Sequence, residues 1–228
     1  MTHQPTDSFT AVADGARFRI SDALEGFRVP RQRFRKGNTY ALARPDGVVL
    51  VDAVHEITAR AVTDFLGGRR VLAVLLTHAD LLDQAFGPPQ LLSHCFRGAP
   101  VVIHAADAKR EGTTSPEAAA ELLAGLGVEV YHVPGHTPGS VLYRVAPEDL
   151  LFAGDAVVGR PYGSDPAERS PAHPPIAEAD WADFVAGWAA VPPPVAAVLP
   201  LHGEMLFGPD SLALAREAAT EPGNVMRE

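Results

Sequence analysis

Several apolar runs in this chain stop abruptly on polar, ligand-type side chains. Leu75-Leu76-Thr77-His78, Leu151-Phe152-Ala153-Gly154-Asp155 and Val198-Leu199-Pro200-Leu201-His202 all end this way. A fourth group, His136, sits in the tight turn Val133-Pro134-Gly135-His136-Thr137-Pro138-Gly139-Ser140. A short apolar run bounded by turn residues reads as a strand buried on both faces. The mouth of such a strand is where a loop holds a polar group on a rigid scaffold. Three histidines and one aspartate at such mouths constrain the fold: segments far apart in sequence must bring their ends to one rim. Imidazole nitrogen and carboxylate oxygen are donors that a first-row dication takes. His78, His136, Asp155 and His202 are therefore candidate metal ligands. Gly135 and Gly139 allow the turn that aims His136 inward.

The first third of the chain reads as an antiparallel meander. Phe9–Val12, Phe18–Ile20, Phe27–Phe34, Asn38–Ala43 and Val48–Asp52 are short β-like runs separated by Asp14-Gly15, Lys36-Gly37 and Pro45-Asp46-Gly47. The pattern then alternates. Helical periodicity over Glu56–Phe65 precedes the apolar run Val71–Leu76, and a second helix runs from near Asp83 through Phe96. The short strand Val101–Ile103 follows. Ser115 caps a helix with Pro116 at its first position, which Gly125 and Gly127 end, and Val128–Val133 is the next strand. The last third repeats the plan, with strands at Val141–Val145, Leu150–Ala153 and Val195–Leu199 and helices at Asp180–Trp188 and Ser211–Ala219. Two β-rich halves, each ending in β/α units, predict an α/β fold, a four-layer αβ/βα sandwich in one domain over residues 1–228. Residues 159–175 are rich in Pro, Gly, Ser and Asp without periodicity, and read as a lid or binding loop.

The order Thr77-His78, then Pro134-Gly135-His136-Thr137-Pro138-Gly139-Ser140, then Gly154-Asp155, then His202-Gly203 resembles the metallo-β-lactamase-fold hydrolase superfamily. The resemblance runs from Asn38-Thr39-Tyr40 and Val48–Asp52 to the C-terminal helix. It departs in the first metal motif. The family reads Thr-His-x-His-x-Asp-His, whereas this chain reads Thr77-His78-Ala79-Asp80-Leu81-Leu82-Asp83-Gln84. Without a gap, Asp80 replaces the second histidine, Leu82 the aspartate and Asp83 the last histidine. With one inserted residue, Asp83 keeps the aspartate position and Gln84 takes the final one. Either way Asp80 stands where imidazole is expected, which makes the ligand set harder and tilts it from zinc toward manganese or iron.

The resemblance implies one or two divalent transition metal ions, zinc, manganese or iron, on His78, Asp80, Asp83, His136, Asp155 and His202. Asp80, Asp83 and Asp155 would balance two dications and one hydroxide; a one-metal site from His78, His136 and Asp155 is equally open. It also implies a hydrolase in which metal-activated water attacks an ester, thioester, lactone or phosphoester. Asp83 is the candidate catalytic residue, orienting that water or taking its proton. Asp52 is expected to support the site through hydrogen bonds, and Gln84 to support a ligand or touch substrate. Tyr162 and His173 in the lid are candidates to touch substrate. His55 is expected to face solvent, with replacement of a lost ligand as the alternative, and His104 and His132 are expected to be structural, with support of a ligand as the alternative. Two alternatives stand beside the hydrolase: a catalytically degenerate binding or regulatory member of the fold, and a mononuclear iron oxidoreductase on the same scaffold.

The resemblance implies a small-molecule substrate, and composition argues against nucleic-acid and membrane partners. The formal net charge is −9, which disfavours nucleic acid, and the one basic run, Arg31–Lys36, reads as a solvated hairpin edge. No apolar run is long enough to span a bilayer, and Met1–Ser8 lacks the basic and apolar regions of a signal peptide. The one cysteine, Cys95, has no internal disulfide partner and reads as a buried structural thiol. These features predict a cytoplasmic protein.

Overall fold

A computed structural model describes residues 17–20, 23–32, 35–53, 67–82, 98–108, 112–160 and 176–226. Two sheets carry the architecture. The first has six strands in sequential order: β1 (Arg17–Arg19), β2 (Leu24–Gln32), β3 (Arg35–Arg44), β4 (Gly47–Val51), β5 (Val71–Leu75) and β6 (Val101–Val102). β1 to β4 pair antiparallel, as a meander joined by short turns must, whereas β4–β5 and β5–β6 are parallel. The second sheet is built from β7 (Val128–His132), β8 (Val141–Val145), β9 (Leu150–Gly154), β11 (Ala197–Pro200) and β12 (Leu206–Phe207). Its spatial order is β12-β11-β9-β8-β7. β10 (Ile176–Ala177) and β13 (Val225–Met226) form a separate parallel pair.

Side-chain alternation dictates how the sheets stack. Successive strand residues point to opposite faces. On β4, Val49 and Val51 enter one apolar cluster, while Val48 and Leu50 enter another. On β9, Leu150 and Phe152 join Val49 and Val51 between the sheets. Leu151 and Ala153 instead face Phe184, Trp188, Leu212 and Ala215 on the far side. Those four lie on the helices Trp181–Ala190 and Ser211–Ala219, here α2 and α3; α1 is Ala120–Leu126. Three apolar layers separated by two sheets give the layering expected from the sequence. It also explains why these strands read as continuous apolar runs: both faces are buried.

The elements expected from the sequence differ from the structure in detail. The helix expected from Ser115 begins at Ala120, and residues 116–119 form turns instead. Ser115 Oγ still accepts a hydrogen bond from Ala118 N at 3.3 Å. Gly125 lies inside α1, and Gly127 ends it in the left-handed conformation. The expected elements at Phe9–Val12, Glu56–Phe65 and Asp83–Phe96 lie outside the described residues, as does Cys95. Of the lid, only Gly159 and Arg160 are described. No described helix is long and apolar enough to cross a membrane.

The two sheets meet closely at one rim. Val141 N, at the start of β8, donates to Thr77 O just beyond β5 at 2.9 Å. Gly154 adopts φ +54°, and a Cβ there would run into Thr77 Oγ1. Leu201 N donates to Gly154 O at 2.8 Å, and Asn38 N donates to Leu201 O at 2.7 Å. Strand ends from both halves are thus tied to one another.

Phe152 is fully buried between the sheets, whereas Leu214 on α3 is 45% exposed. Phe152→Ala is expected to lower the unfolding free energy by about 3–5 kcal/mol, and Leu214→Ala by less than about 0.5 kcal/mol. Urea unfolding of both variants checks the assignment of the inner layer.

Candidate metal centre

Thr77 and His78 follow β5, and a 3-10 turn spans Ala79–Leu82. Leu81 and Leu82 turn into the core beneath the first sheet, so the turn is anchored from below. Asp80 is left outward, with its side chain 63% exposed. His136 projects from the Pro/Gly turn between β7 and β8, Asp155 follows β9, and His202 follows β11.

These side chains converge. Asp155 Oδ2 lies 3.7 Å from His78 Nε2, 3.6 Å from His136 Nε2 and 3.5 Å from His202 Nε2. Asp80 Oδ2 is 3.2 Å from His136 Nε2. That last pair is an ion-pair contact. The other separations are too long for hydrogen bonds. They lie at or a few tenths of an ångström beyond the spacing of donor atoms that share one ion, since ligands about 2.1 Å from a metal lie roughly 3–3.5 Å from each other in tetrahedral or octahedral geometry. Ligand atoms of His78, Asp80 and His136 all lie within 4.8 Å of one another. His78 Nε2, His136 Nε2 and Asp155 Oδ1 are buried atoms without a hydrogen-bond partner. Buried polar atoms are ordinarily satisfied. A cluster of orphaned imidazole nitrogens around a carboxylate therefore fits a cation.

Behind His78 runs a short relay. Asp52 Oδ1 accepts from Thr77 N at 2.9 Å and from Thr77 Oγ1 at 3.0 Å. Thr77 Oγ1 also lies 2.9 Å from His78 Nδ1. The hydroxyl has one proton, and Asp52 takes it, so His78 Nδ1 must be the donor in that pair. This proton count assigns the tautomer and leaves the Nε2 lone pair facing the site. Asp52 itself is buried and held at φ +54°, an uncommon conformation for a residue other than glycine. Burial pushes the Asp52 carboxyl up to about 7, against the pull of both Thr77 bonds. Burial likewise pushes His78 down to about 4, which keeps it neutral, while Asp155 opposes the shift. At His136 burial again disfavours the charged form, but Asp80 and Asp155 outweigh it and raise the imidazole. The His136 contact holds the Asp80 carboxyl below its usual range.

The His202 loop is fastened to the first sheet. Asn38 Nδ2 donates to Pro200 O at 3.1 Å and to Gly203 O at 3.0 Å, and Tyr40 OH donates to Pro200 O at 2.6 Å. Gly159 N donates to His202 O at 2.8 Å.

Of the residues expected at the site, the structure brings together His78, Asp80, His136, Asp155 and His202, with Asp52 behind His78. Asp83, Gln84, Tyr162 and His173 lie outside the described residues, as does His55. His104 and His132 stack on each other, with centroids 4.2 Å apart and planes 9° from parallel. Sequence reasoning gave no role to Asp107, which is fully buried against the His136 turn. Nothing in a turn reading His104-Ala105-Ala106-Asp107 marks its acid as buried.

Comparison with curated protein sequences finds no match. Solved structures share the fold across nearly the whole chain. A metallo-beta-lactamase from Erythrobacter litoralis, with beta mercaptoethanol in its active site, is 16% identical with a TM-score of 0.63, covering 89% of this chain and 95% of that one. FIM-1 from Pseudomonas aeruginosa, in its mono-zinc form, is 14% identical with a TM-score of 0.59, covering 91% and 95%. TTHA1623 in a di-iron-bound form is 25% identical with a TM-score of 0.54, covering 86% and 99%. The profile of the Metallo-beta-lactamase superfamily matches residues 83–202, more than half of the 228 residues. With two stacked sheets and a His/Asp cluster on their common rim, this chain belongs to the metallo-beta-lactamase superfamily.

Proposed function

We propose that this protein is a divalent-metal-dependent hydrolase acting on a small molecule in the cytoplasm. The observation that carries the reading is the set of orphaned buried atoms, His78 Nε2, His136 Nε2 and Asp155 Oδ1, in one cluster with Asp80 and His202. His78, Asp80 and His136 would hold one ion together with Asp155. Asp155, His202 and Asp83 would serve a second. The carboxylate at Asp80 favours iron or manganese over zinc, and the di-iron-bound form of TTHA1623 supports iron on this scaffold. When bound, such an ion polarises a carbonyl or phosphoryl oxygen and lets water act as a nucleophile near neutral pH.

The chain's own groups supply the rest. The relay through Thr77 keeps the His78 Nε2 lone pair directed at the site. Asp80 and Asp155 supply negative charge against the cation. Asp83 would orient the attacking water or take its proton. Gln84, Tyr162 and His173 would be the groups to test for contact with the substrate, which we take to be an ester, thioester, lactone or phosphoester.

Elemental analysis after reconstitution tests the reading. The parent protein is expected to hold one to two equivalents of transition metal, and His136→Ala or Asp155→Asn to hold far less. Less than roughly a tenth of an equivalent in the parent would contradict it and leave a binding member of the fold.

Proton competition gives a second test. His78 has its folded value pushed to about 4 from an ordinary 6.5, so it contributes stability that is present above 6.5 and lost as pH falls toward 4. His136 has the opposite sign: its raised value contributes stability that is present below 6.5 and lost as pH rises through the folded value. In an NMR titration of metal-free protein, the His78 ring protons are expected to move only near pH 4, and those of His136 above the ordinary imidazole range. Metal affinity is expected to fall on acidification as His136 takes its proton. Titration of the two rings in the reverse order would contradict the relay.

A further inference from the structure

Asp107 is a carboxylate with 0% exposure, in the turn that follows β6. Its Oδ2 accepts from Thr137 Oγ1 at 2.5 Å, and its Oδ1 accepts from Gly139 N at 2.9 Å. Ser140 Oγ accepts from Thr137 N at 3.0 Å and lies 2.9 Å from Thr137 Oγ1. Thr137 has one hydroxyl proton, and Asp107 takes it, so Ser140 must donate to Thr137. The chain of donors runs Ser140 to Thr137 to Asp107 and closes on a charge. The approach is tight: a Cβ on Gly139 would lie 2.6 Å from Asp107 Cγ, so only glycine fits there. The same segment stacks His104 on His132, whose Nε2 lies 2.9 Å from Pro138 O. Asp107 therefore grips the turn at Thr137 and Gly139, and His132, stacked on His104, meets the position between them.

Both donors to Asp107 are neutral, and burying a carboxylate against neutral donors is costly. A plain turn needs no such charge.

We infer that Asp107 is the positioning residue of the site: through Thr137 and Gly139 it sets where the His136 imidazole sits relative to His78 and Asp155. Its role toward an ion rests on the metal reading above; its hold on the turn does not.

Asp107→Asn and Thr137→Val in the full chain test this. Asn cannot accept both bonds, and Val keeps the shape of Thr without the proton. The first arm is amide exchange in metal-free protein. In both variants the Thr137, Gly139 and Ser140 amides are expected to exchange at least about tenfold faster, with β9 amides unchanged. The second arm is cobalt(II) binding by chelator competition and visible absorption. Affinity is expected to fall about 10–100-fold with an altered absorption band. Turn amides that exchange at parental rates would overturn the inference. So would cobalt affinity within about twofold of the parent with an unchanged spectrum. If the parent itself takes no cobalt, the metal reading falls and the exchange arm alone decides. If Asp107→Asn does not fold, Thr137→Val carries both arms, since it removes a single hydroxyl.

Discussion

Two sheets share a functional rim only where their backbones come close, and here that approach is set by Thr77 against Gly154. The glycine leaves room for the threonine side chain. The threonine accepts the backbone bond that starts β8, and Gly154 accepts the one that carries β11 toward His202. Three ligand-type groups follow directly from this contact: His78 is next to Thr77, Asp155 is next to Gly154, and His202 follows Leu201, with Asp80 three positions beyond Thr77. Only His136 arrives independently, on a turn of its own, and that turn has its own fastening. The chemistry of the rim is thus a consequence of packing between the halves rather than of any one loop.

The electrostatics of the rim make sense as a unit. Three imidazole nitrogens surround one carboxylate oxygen at distances beyond hydrogen bonding. His78 is kept neutral by burial and oriented by a threonine that answers to Asp52. Asp52 is in turn fixed in a left-handed backbone conformation, a strain that the surrounding bonds must offset. Residues that support a ligand commonly matter nearly as much as the ligand. Here that support comes from the first sheet, through Asp52, Asn38 and Tyr40, as well as from the turn at Asp107.

Much of this was legible in the sequence, and the reasons are physical. Strands buried on both faces leave continuous apolar runs, so β4, β5, β8 and β9 could be read directly. Helix Ser211–Ala219 was legible to the residue because its apolar positions recur at helical spacing. The start of α1 was not, because Ser115-Pro116-Glu117 is as good an opening for a turn as for a helix. The site was legible where a ligand-type residue ends a strand. Asp107 was not, because a carboxylate in a turn is ordinarily solvated and its burial depends on a segment thirty positions away. The link from Asn38 and Tyr40 to Pro200 was hidden for the same reason: it spans the two halves of the chain.

On this account the rim exists to grip a cation. Anomalous diffraction from crystals soaked in iron or manganese tests that most directly. The account predicts a peak within bonding distance, about 2.0–2.3 Å, of His78 Nε2 and His136 Nε2. A map with its anomalous density elsewhere, and none among His78, His136 and Asp155, would contradict it.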